Sequence, residues 1–290
     1  LGRARTGTGK TLAFLLPAIE NALRLGRTPG PHTKENGGIS ILVLSPTREL
    51  AMQIHNQAQV LTSSHANSSN NSNRSLRMTS QVMFGESSRG ADLKKLEDNC
   101  PFVLVATPGR LIDHMQSSYV RGIPFREIIE GVSVFVLDEA DRCLDMGFRN
   151  DMEYILSHKD QDDAKQQTLL FSATLPKDLR SIMASHMRKD YLTVDCVHDI
   201  DPASHTNTLV DQSYVTLPSL VPNDNSNSRW ITGLVDIVQD ITLIQNPDDF
   251  KVVVFFPTTA MCQFFSHLFN TVFKVPVLEI HSKKTQGNRT

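Results

Sequence analysis

Two short stretches of this 290-residue chain carry residues whose types and spacing could do chemistry: Ala4-Arg5-Thr6-Gly7-Thr8-Gly9-Lys10-Thr11 and Asp138-Glu139-Ala140-Asp141. In the first, small residues let successive backbone N–H groups curl around phosphate oxygens. Lys10 would bring a positive charge to the outer phosphates, and the Thr11 hydroxyl is a ligand type for Mg²⁺. A helix opening at Thr11 would add the positive end of its dipole. The pattern has Ala4 where a glycine is usual, and the competing reading is a glycine-rich turn that only starts a helix. Lysine and hydroxyl stand in register before an apolar-periodic run (Leu12, Leu15, Leu16, Ile19, Leu23), which favours a nucleotide site. In the second stretch, the carboxylates Asp138, Glu139 and Asp141 directly follow the apolar run Val134-Phe135-Val136-Leu137. Such a run suits a strand buried on both faces, and open parallel sheets bind ligands just beyond the carboxyl ends of their strands. Acids are also ordinary at the start of a helix, where they favour its dipole. On this stretch alone the two readings are even.

The elements that must position these residues alternate along the chain. Runs at 39–45, 76–84, 102–106, 134–137 and 167–171 read as strands, with a short one near 191–194. Helices are expected at 11–25, from Pro46 onward, at 89–97, after the acids to about His158, and at 179–187. Polar residues close the strands. Thr47 and Arg48 follow the first of these strands, and Thr107-Pro108-Gly109-Arg110 follows the third. Both sets could reach a phosphodiester backbone, with Gly109 permitting close approach. Capping of a helix for the former, and a Pro-Gly turn for the latter, are the ordinary alternatives. Ser172 and Thr174 mean little alone. Only Leu1, Gly2 and Arg3 precede the first loop, so the strand feeding it is expected to be missing and the natural protein to begin upstream.

Residues 195–208 turn polar and read as an interdomain linker, after which a second αβ series follows. Strands are expected at 210–217, 251–256 and 275–280, and helices at 231–244 and from Pro257-Thr258-Thr259 to about Asn270. The expected fold is α/β, with parallel sheets flanked by helices in both parts. Residues 65–75, almost wholly Ser and Asn, read as a disordered loop or insertion, and Leu144, Met146 and Phe148 as core. A net charge of -2 and a pI near 6.6 give no whole-chain basic footprint, so any nucleic-acid contact must be local. Cys100, Cys143, Cys196 and Cys262 form no Cys-x-x-Cys pair, which argues against zinc and a disulfide framework and for a reducing compartment. No apolar run reaches the length of a membrane span.

In this order the motifs resemble the DEAD-box family of ATP-dependent RNA helicases, over essentially the whole chain. Residues 138–141 are similar to the box that names it, and 4–11 to its motif I, where alanine is the usual residue at position 4. Residues 46–51 look like motif Ia, 107–110 like Ib, 172–174 like III, 254–258 like IV, and Gln286 with Arg289 like the Gln-x-x-Arg element. The resemblance implies two RecA-like domains, at 1–196 and 209–290 with the linker at 197–208 and the second truncated, closing over ATP, Mg²⁺ and single-stranded RNA. It implies that Thr6, Gly7, Thr8, Gly9, Lys10 and Thr11 hold the nucleotide, that Thr11 and Asp138 hold Mg²⁺, and that Glu139 orients and deprotonates the attacking water. Asp141, Ser172 and Thr174 would couple hydrolysis to domain closure. Pro46, Thr47, Arg48, Gly85, Thr107, Gly109, Arg110, Thr258, Gln286 and Arg289 would meet the RNA backbone with little sequence preference. RNA is the implied partner of a monomer, without a membrane.

There are departures from the family pattern. The adenine-recognition segment and the arginines that reach the γ-phosphate are absent, so negligible RNA-stimulated ATPase activity is expected of these 290 residues alone. Glu86 follows Gly85 where the family has a second glycine, and a carboxylate there repels phosphate. Residues 279–290 look most like organellar members from fungi and plants. The rival readings are a DNA-directed member of the same superfamily, a non-catalytic RNA clamp and a small-molecule kinase.

Overall fold

The computed structural model describes residues 1–4, 8–24, 38–68, 78–158, 166–196, 213–216, 229–244 and 251–284. The chain divides into two compact units, Leu1–Asn207 and Thr208–Thr290. The first begins with β1 (Gly2–Arg3), α1 (Lys10–Arg24), β2 (Ile41–Leu44), α2 (Arg48–Ser68), β3 (Ser80–Met83), α3 (Arg89–Asp98), β4 (Val103–Ala106) and α4 (Pro108–Ser117). A small antiparallel pair, β5 (Tyr119–Val120) with β6 (Ile123–Pro124), precedes α5 (Phe125–Glu130). Then come β7 (Val134–Leu137), α6 (Ala140–Asp145), α7 (Arg149–Ser157), β8 (Gln167–Ser172), α8 (Lys177–His186) and β9 (Val194–Asp195).

Seven strands pair in the order β3-β4-β2-β7-β8-β1-β9, every pair parallel. The central strands are apolar at every residue because both faces of the sheet are covered. Ile41, Val43, Val134 and Val136 point to one side, against Phe14 and Leu15 of α1 and Ile54 of α2. Leu42, Leu44, Phe135 and Leu137 point to the other, against Leu111 of α4, Ile155 of α7 and Ile182 of α8. Burying each of these larger side chains contributes about 1.5–3 kcal/mol, and a one-residue slip would exchange the two faces. The register of the chemistry-bearing residues at the strand ends is thus held from both sides.

The strand expected to be missing is present. Gly2 and Arg3 form β1, inserted between β8 and β9, and Gly2 is required there because a Cβ would sit 2.6 Å from the Phe171 ring. The last strand falls at Val194–Asp195 rather than 191–194. Helix α2 runs on through residues 65–68, where a loop is expected, since adding a residue to an existing helix fixes only that residue. Residues 69–75 of that stretch lie outside the described residues. Thr107-Pro108-Gly109-Arg110 is no turn: Pro108 opens α4 at a position where its missing N–H costs nothing. The single helix expected after the acids is two. Gly147, at φ +84°, ends α6, with the Gly147 N–H donating to Leu144 and the Phe148 N–H to Cys143. That cap leaves Met146 at the surface instead of in the core, whereas Leu144 and Phe148 pack as expected.

In the second unit, α9 (Arg229–Ile244) and α10 (Thr259–Leu268), which continues as a π-helical turn over Phe269–Phe273, pack through Val235, Val238, Phe265 and Phe269. The strands expected at 251–256 and 275–280 carry no ladder, and neither do the described residues 213–216 of the one expected at 210–217. A strand is stable only beside a hydrogen-bonded neighbour, and none lies among the described residues. Instead the Asn270 amide side chain brackets Val277, accepting from its N–H at 3.2 Å and donating to its carbonyl at 3.1 Å. The polar loop at 223–228 and most of the linker lie outside the described residues. Cys100 and Cys143 are buried, which pushes both thiols up to about 12, while Cys196 is exposed and Cys262 half-buried. Among the described residues no helix is long and apolar enough to cross a membrane.

Candidate functional site

Parallel strands bring their carboxyl ends to one edge of the sheet, so Ala4, Ser45, Thr107, Asp138 and Ala173 share that edge. At the entry to α1, Gly9 has φ +84°, a conformation glycine adopts without a Cβ penalty. Lys10, the first residue of α1, is buried, and its Nζ donates to the Ala4 carbonyl at 3.2 Å. The ammonium is thereby tied to the end of β1. Thr8 and Gly9 are exposed and Thr11 is half-buried, while Thr6 and Gly7 lie outside the described residues.

Asp138, at the end of β7, is 2% exposed and accepts a hydrogen bond from the Glu139 N–H at 3.0 Å. Burial pushes its carboxyl up to about 6; the Lys10 charge opposes that rise, while Glu139 and Asp141 add to it. The outcome is a buried carboxylate short of positive charge, which a divalent cation would relieve. Among the described residues no group of three His, Cys, Asp or Glu side chains could hold a metal. Asp138 with the Thr11 hydroxyl would therefore supply only part of a coordination shell, as suits Mg²⁺, which keeps waters and takes phosphate oxygens.

Glu139 sits at φ +48°, ψ 51°, in the left-handed region, and its side chain does not cap α6. For a residue with a side chain this conformation costs on the order of 1–3 kcal/mol. It turns the chain sharply and sends neighbouring carboxylates different ways. Arg142 Nη1 holds Glu139 Oε2 at 3.1 Å. Asp141 instead faces the end of β8. Its Oδ2 accepts from the Thr174 N–H at 2.8 Å and the Thr174 hydroxyl at 2.7 Å, and its Oδ1 from the Arg142 N–H at 3.0 Å. The Asp141 N–H donates to Ser172 Oγ at 3.3 Å, and Ser172 Oγ donates to the Thr174 carbonyl at 2.6 Å. Burial alone would raise the Asp141 carboxyl, but hydrogen bonds from Thr174, Ser172 and Arg142 outweigh it and hold it below the usual range.

Along the same edge, Pro46 is buried and Thr47 Oγ1 accepts from the Leu50 N–H at 3.3 Å, so the capping role is realised. Arg48, the first residue of α2, is paired with Glu86: Nη2 reaches Oε1 at 2.7 Å and Nη1 contacts Oε2. That hydrogen bonding pushes the Arg48 guanidinium still higher than usual. A Cβ added at Gly85 or Gly109 would meet nothing within 4 Å, so both backbones face open space. Thr107 is buried at the start of α4, its carbonyl accepting from the Leu111 N–H at 3.1 Å.

Arg110 does not reach outward. Its Nε lies 3.1 Å from Asp92 Oδ2, its Nη1 3.3 Å from Asp113, and its Nη2 3.0 Å from Ser87 Oγ and in contact with the Ser87 carbonyl. Asp92 is itself buried, with His114 Nε2 at 3.4 Å, and a buried carboxylate left without a cation would be costly. Arg110 therefore fastens the loop after β3 to α4. Thr258 belongs to the second unit, where its Oγ1 caps α10 by accepting from the Met261 N–H at 3.2 Å. Gln286 and Arg289 lie outside the described residues. Sequence reading missed the Ala4 carbonyl, Asp92 and Arg142, and saw in Glu86 only a repulsive charge. A groove at the outer edge of β3, lined by His55, Gln59 and Lys95, stands apart from the acids.

The sequence profile of the DEAD/DEAH box helicase family matches residues 1–182. The chain is 37% identical over its whole length to DEAD-box ATP-dependent RNA helicase 26 of Oryza sativa subsp. japonica, 47% of which it covers. It is 36% identical to DEAD-box ATP-dependent RNA helicase 31 of Arabidopsis thaliana, covering 36% of that protein. Among solved structures, DEAD-box helicase Mss116 bound to ssRNA and UDP-BeF superposes with a TM-score of 0.76 at 28% identity, over 99% of this chain and 53% of that one. The parallel sheet flanked by helices matches the RecA-like architecture of such structures. The chain thus spans about half the length, or less, of the curated relatives it matches.

Proposed function

The chain belongs to the DEAD/DEAH box helicase family, and from that premise we propose that the full-length protein is an ATP-dependent RNA helicase. It would bind ATP with Mg²⁺ and single-stranded RNA between two RecA-like domains, at 1–196 and 209–290, and open short duplexes locally. The observation that carries this reading is the buried Lys10 ammonium, tied to the Ala4 carbonyl, whose charge acts on the buried Asp138 carboxylate at the carboxyl edge of one parallel sheet. The relatives' names specify ATP and RNA, and the Mss116 structure pairs a nucleotide analogue with ssRNA.

The roles follow from the chemistry of each position. Lys10 and the N–H groups of Thr6, Gly7, Thr8, Gly9 and Thr11 take the β- and γ-phosphates at the positive end of α1. Thr11 and Asp138 would hold Mg²⁺, which would supply positive charge against the transferred phosphoryl group. Glu139, kept aside by Arg142, orients and deprotonates the attacking water. Asp141, Ser172 and Thr174 link the acid turn to the end of β8, so a shift at either is felt at the other. Pro46, Thr47, Arg48, Gly85, Thr107, Gly109, Thr258, Gln286 and Arg289 contact backbone phosphate and sugar, and Arg110 holds the loop that presents Gly85. Preference for RNA over DNA comes from 2′-hydroxyl contacts.

In the full-length protein, Glu139→Gln should slow RNA-stimulated ATP hydrolysis at least about a hundredfold, the usual scale of a general base, while nucleotide-dependent retention of RNA persists. Normal turnover would remove Glu139 from its role, and stimulation by DNA but not RNA would replace the polymer assigned here.

A further inference from the structure

The loop after β3 holds a side chain where its backbone would prefer none. Glu86 has φ +73°, in the left-handed region that disfavours residues with a Cβ. The flanks keep it there. Ser87 Oγ donates to the Phe84 carbonyl at 2.8 Å and reaches Asp92 Oδ2 at 3.1 Å, while Arg110 grips Ser87 from α4. With the backbone fixed in this way, the Glu86 carboxylate falls on the Arg48 guanidinium, each Nη facing one carboxylate oxygen. A phosphodiester would offer its two non-bridging oxygens to the same fork. Glu49 places a second negative charge near Arg48. The Glu86 side chain is 62% exposed and that of Arg48 25%, so the carboxylate lies on the solvent side, over the cation.

We infer that Glu86 is an internal competitor for nucleic-acid phosphate, its carboxylate occupying the Arg48 fork in the free protein and swinging off when a backbone phosphate arrives. This rests on the reading that Arg48 faces the nucleic-acid strand. Solvent-exposed ion pairs are weak, so the carboxylate tunes affinity and does not block binding. The cost falls on every sequence alike, because phosphate carries no base identity. Glu86 would thus set how long the strand stays, not which strand is chosen.

The test is fluorescence anisotropy of a labelled oligouridylate with full-length protein and a non-hydrolysable ATP analogue, over a KCl series. Glu86→Gln should bind about threefold to fivefold more tightly, the strength of an exposed ion pair. Its salt dependence should steepen, the gain shrinking as KCl rises, because salt screens the exposed ion pair that competes in the wild type. Glu86→Gly, which also relieves the left-handed backbone, should match or exceed that gain. Arg48→Ala should weaken the wild type and cancel the gain from Glu86→Gln. An unchanged affinity and slope in Glu86→Gln, with wild-type binding intact, overturns the inference and leaves the helicase reading standing. An equal gain in the Arg48→Ala background also overturns it, since the effect would then be one of general charge. Failure of wild type and variants alike to bind oligouridylate would sink the RNA reading and this inference together.

Discussion

Asp138 and Asp141 belong to the same four-residue motif, and the fold supplies them very differently with donors. Asp138 closes a buried strand with the Glu139 N–H as its hydrogen bond and the Lys10 charge as its compensation, and its carboxyl rises to about 6. Asp141, past the left-handed turn at Glu139, takes the N–H and hydroxyl of Thr174 and the N–H of Arg142, and its carboxyl falls below the usual range. A carboxylate saturated with donors has little left for a ligand and serves as a strut between the acid turn and β8. One starved of donors keeps an electrostatic need that a cation can meet. Identical side chains thus acquire different work from the number of donors around them.

The largest test of this contrast removes the charge opposing Asp138. Lys10→Ala in the full-length protein should weaken ATP binding at least about a hundredfold, the scale of truncating one partner of a buried charge pair. Fluorescent-nucleotide titration measures it, and unchanged affinity would break the contrast at its root.

Next in size is a pH experiment. Because the folded Asp138 carboxyl lies above its unfolded value near 4, its stabilising contribution is complete below about pH 4 and is lost as pH rises through about 6. Asp138→Asn should therefore gain on the order of 2 kcal/mol at pH 7.5 in urea melts, with the gain vanishing toward pH 4. Asp141 carries the opposite sign: its contribution is full above the ordinary carboxylate range and is lost as pH falls below it.

The smallest effect is expected from Asp141→Ala, which strands the Thr174 N–H at a partly wet position and should cost on the order of 1 kcal/mol in urea melts. A gain in stability from that change, or a loss from Asp138→Asn at pH 7.5, would exchange the roles of the two acids.

The strands of the first sheet were legible because each central residue is apolar and each face is covered, so Val134 to Leu137 could be little else. The strand-end motifs were legible for a related reason, since parallel strands send their carboxyl ends to one edge. What stayed hidden depends on pairing across the chain. Arg110 reads as a free cation until β3 and β4 bring α3 beside α4 and Asp92 claims it. Glu86 and Arg48 are 38 residues apart, and only the folded loop makes them partners. A two-residue strand such as β1 exists only because β8 and β9 flank it. Residues 251–256 show the converse, with strand-like composition and no ladder. Two local signals were misread: Gly147, a cap placed inside a continuous apolar pattern, and Pro108, which opens a helix where a turn was the ordinary alternative.

The uneven burial of the four cysteines has a practical outcome. Alkylating reagents attack thiolates, so Cys100 and Cys143, their thiols pushed up to about 12, stay silent near neutral pH. Cys196 is exposed on the first unit and Cys262 half-exposed on the second. Maleimide dyes would therefore settle one to a unit on the wild-type chain, giving a spectroscopic ruler for movement between them without altering a single residue of the acid corner.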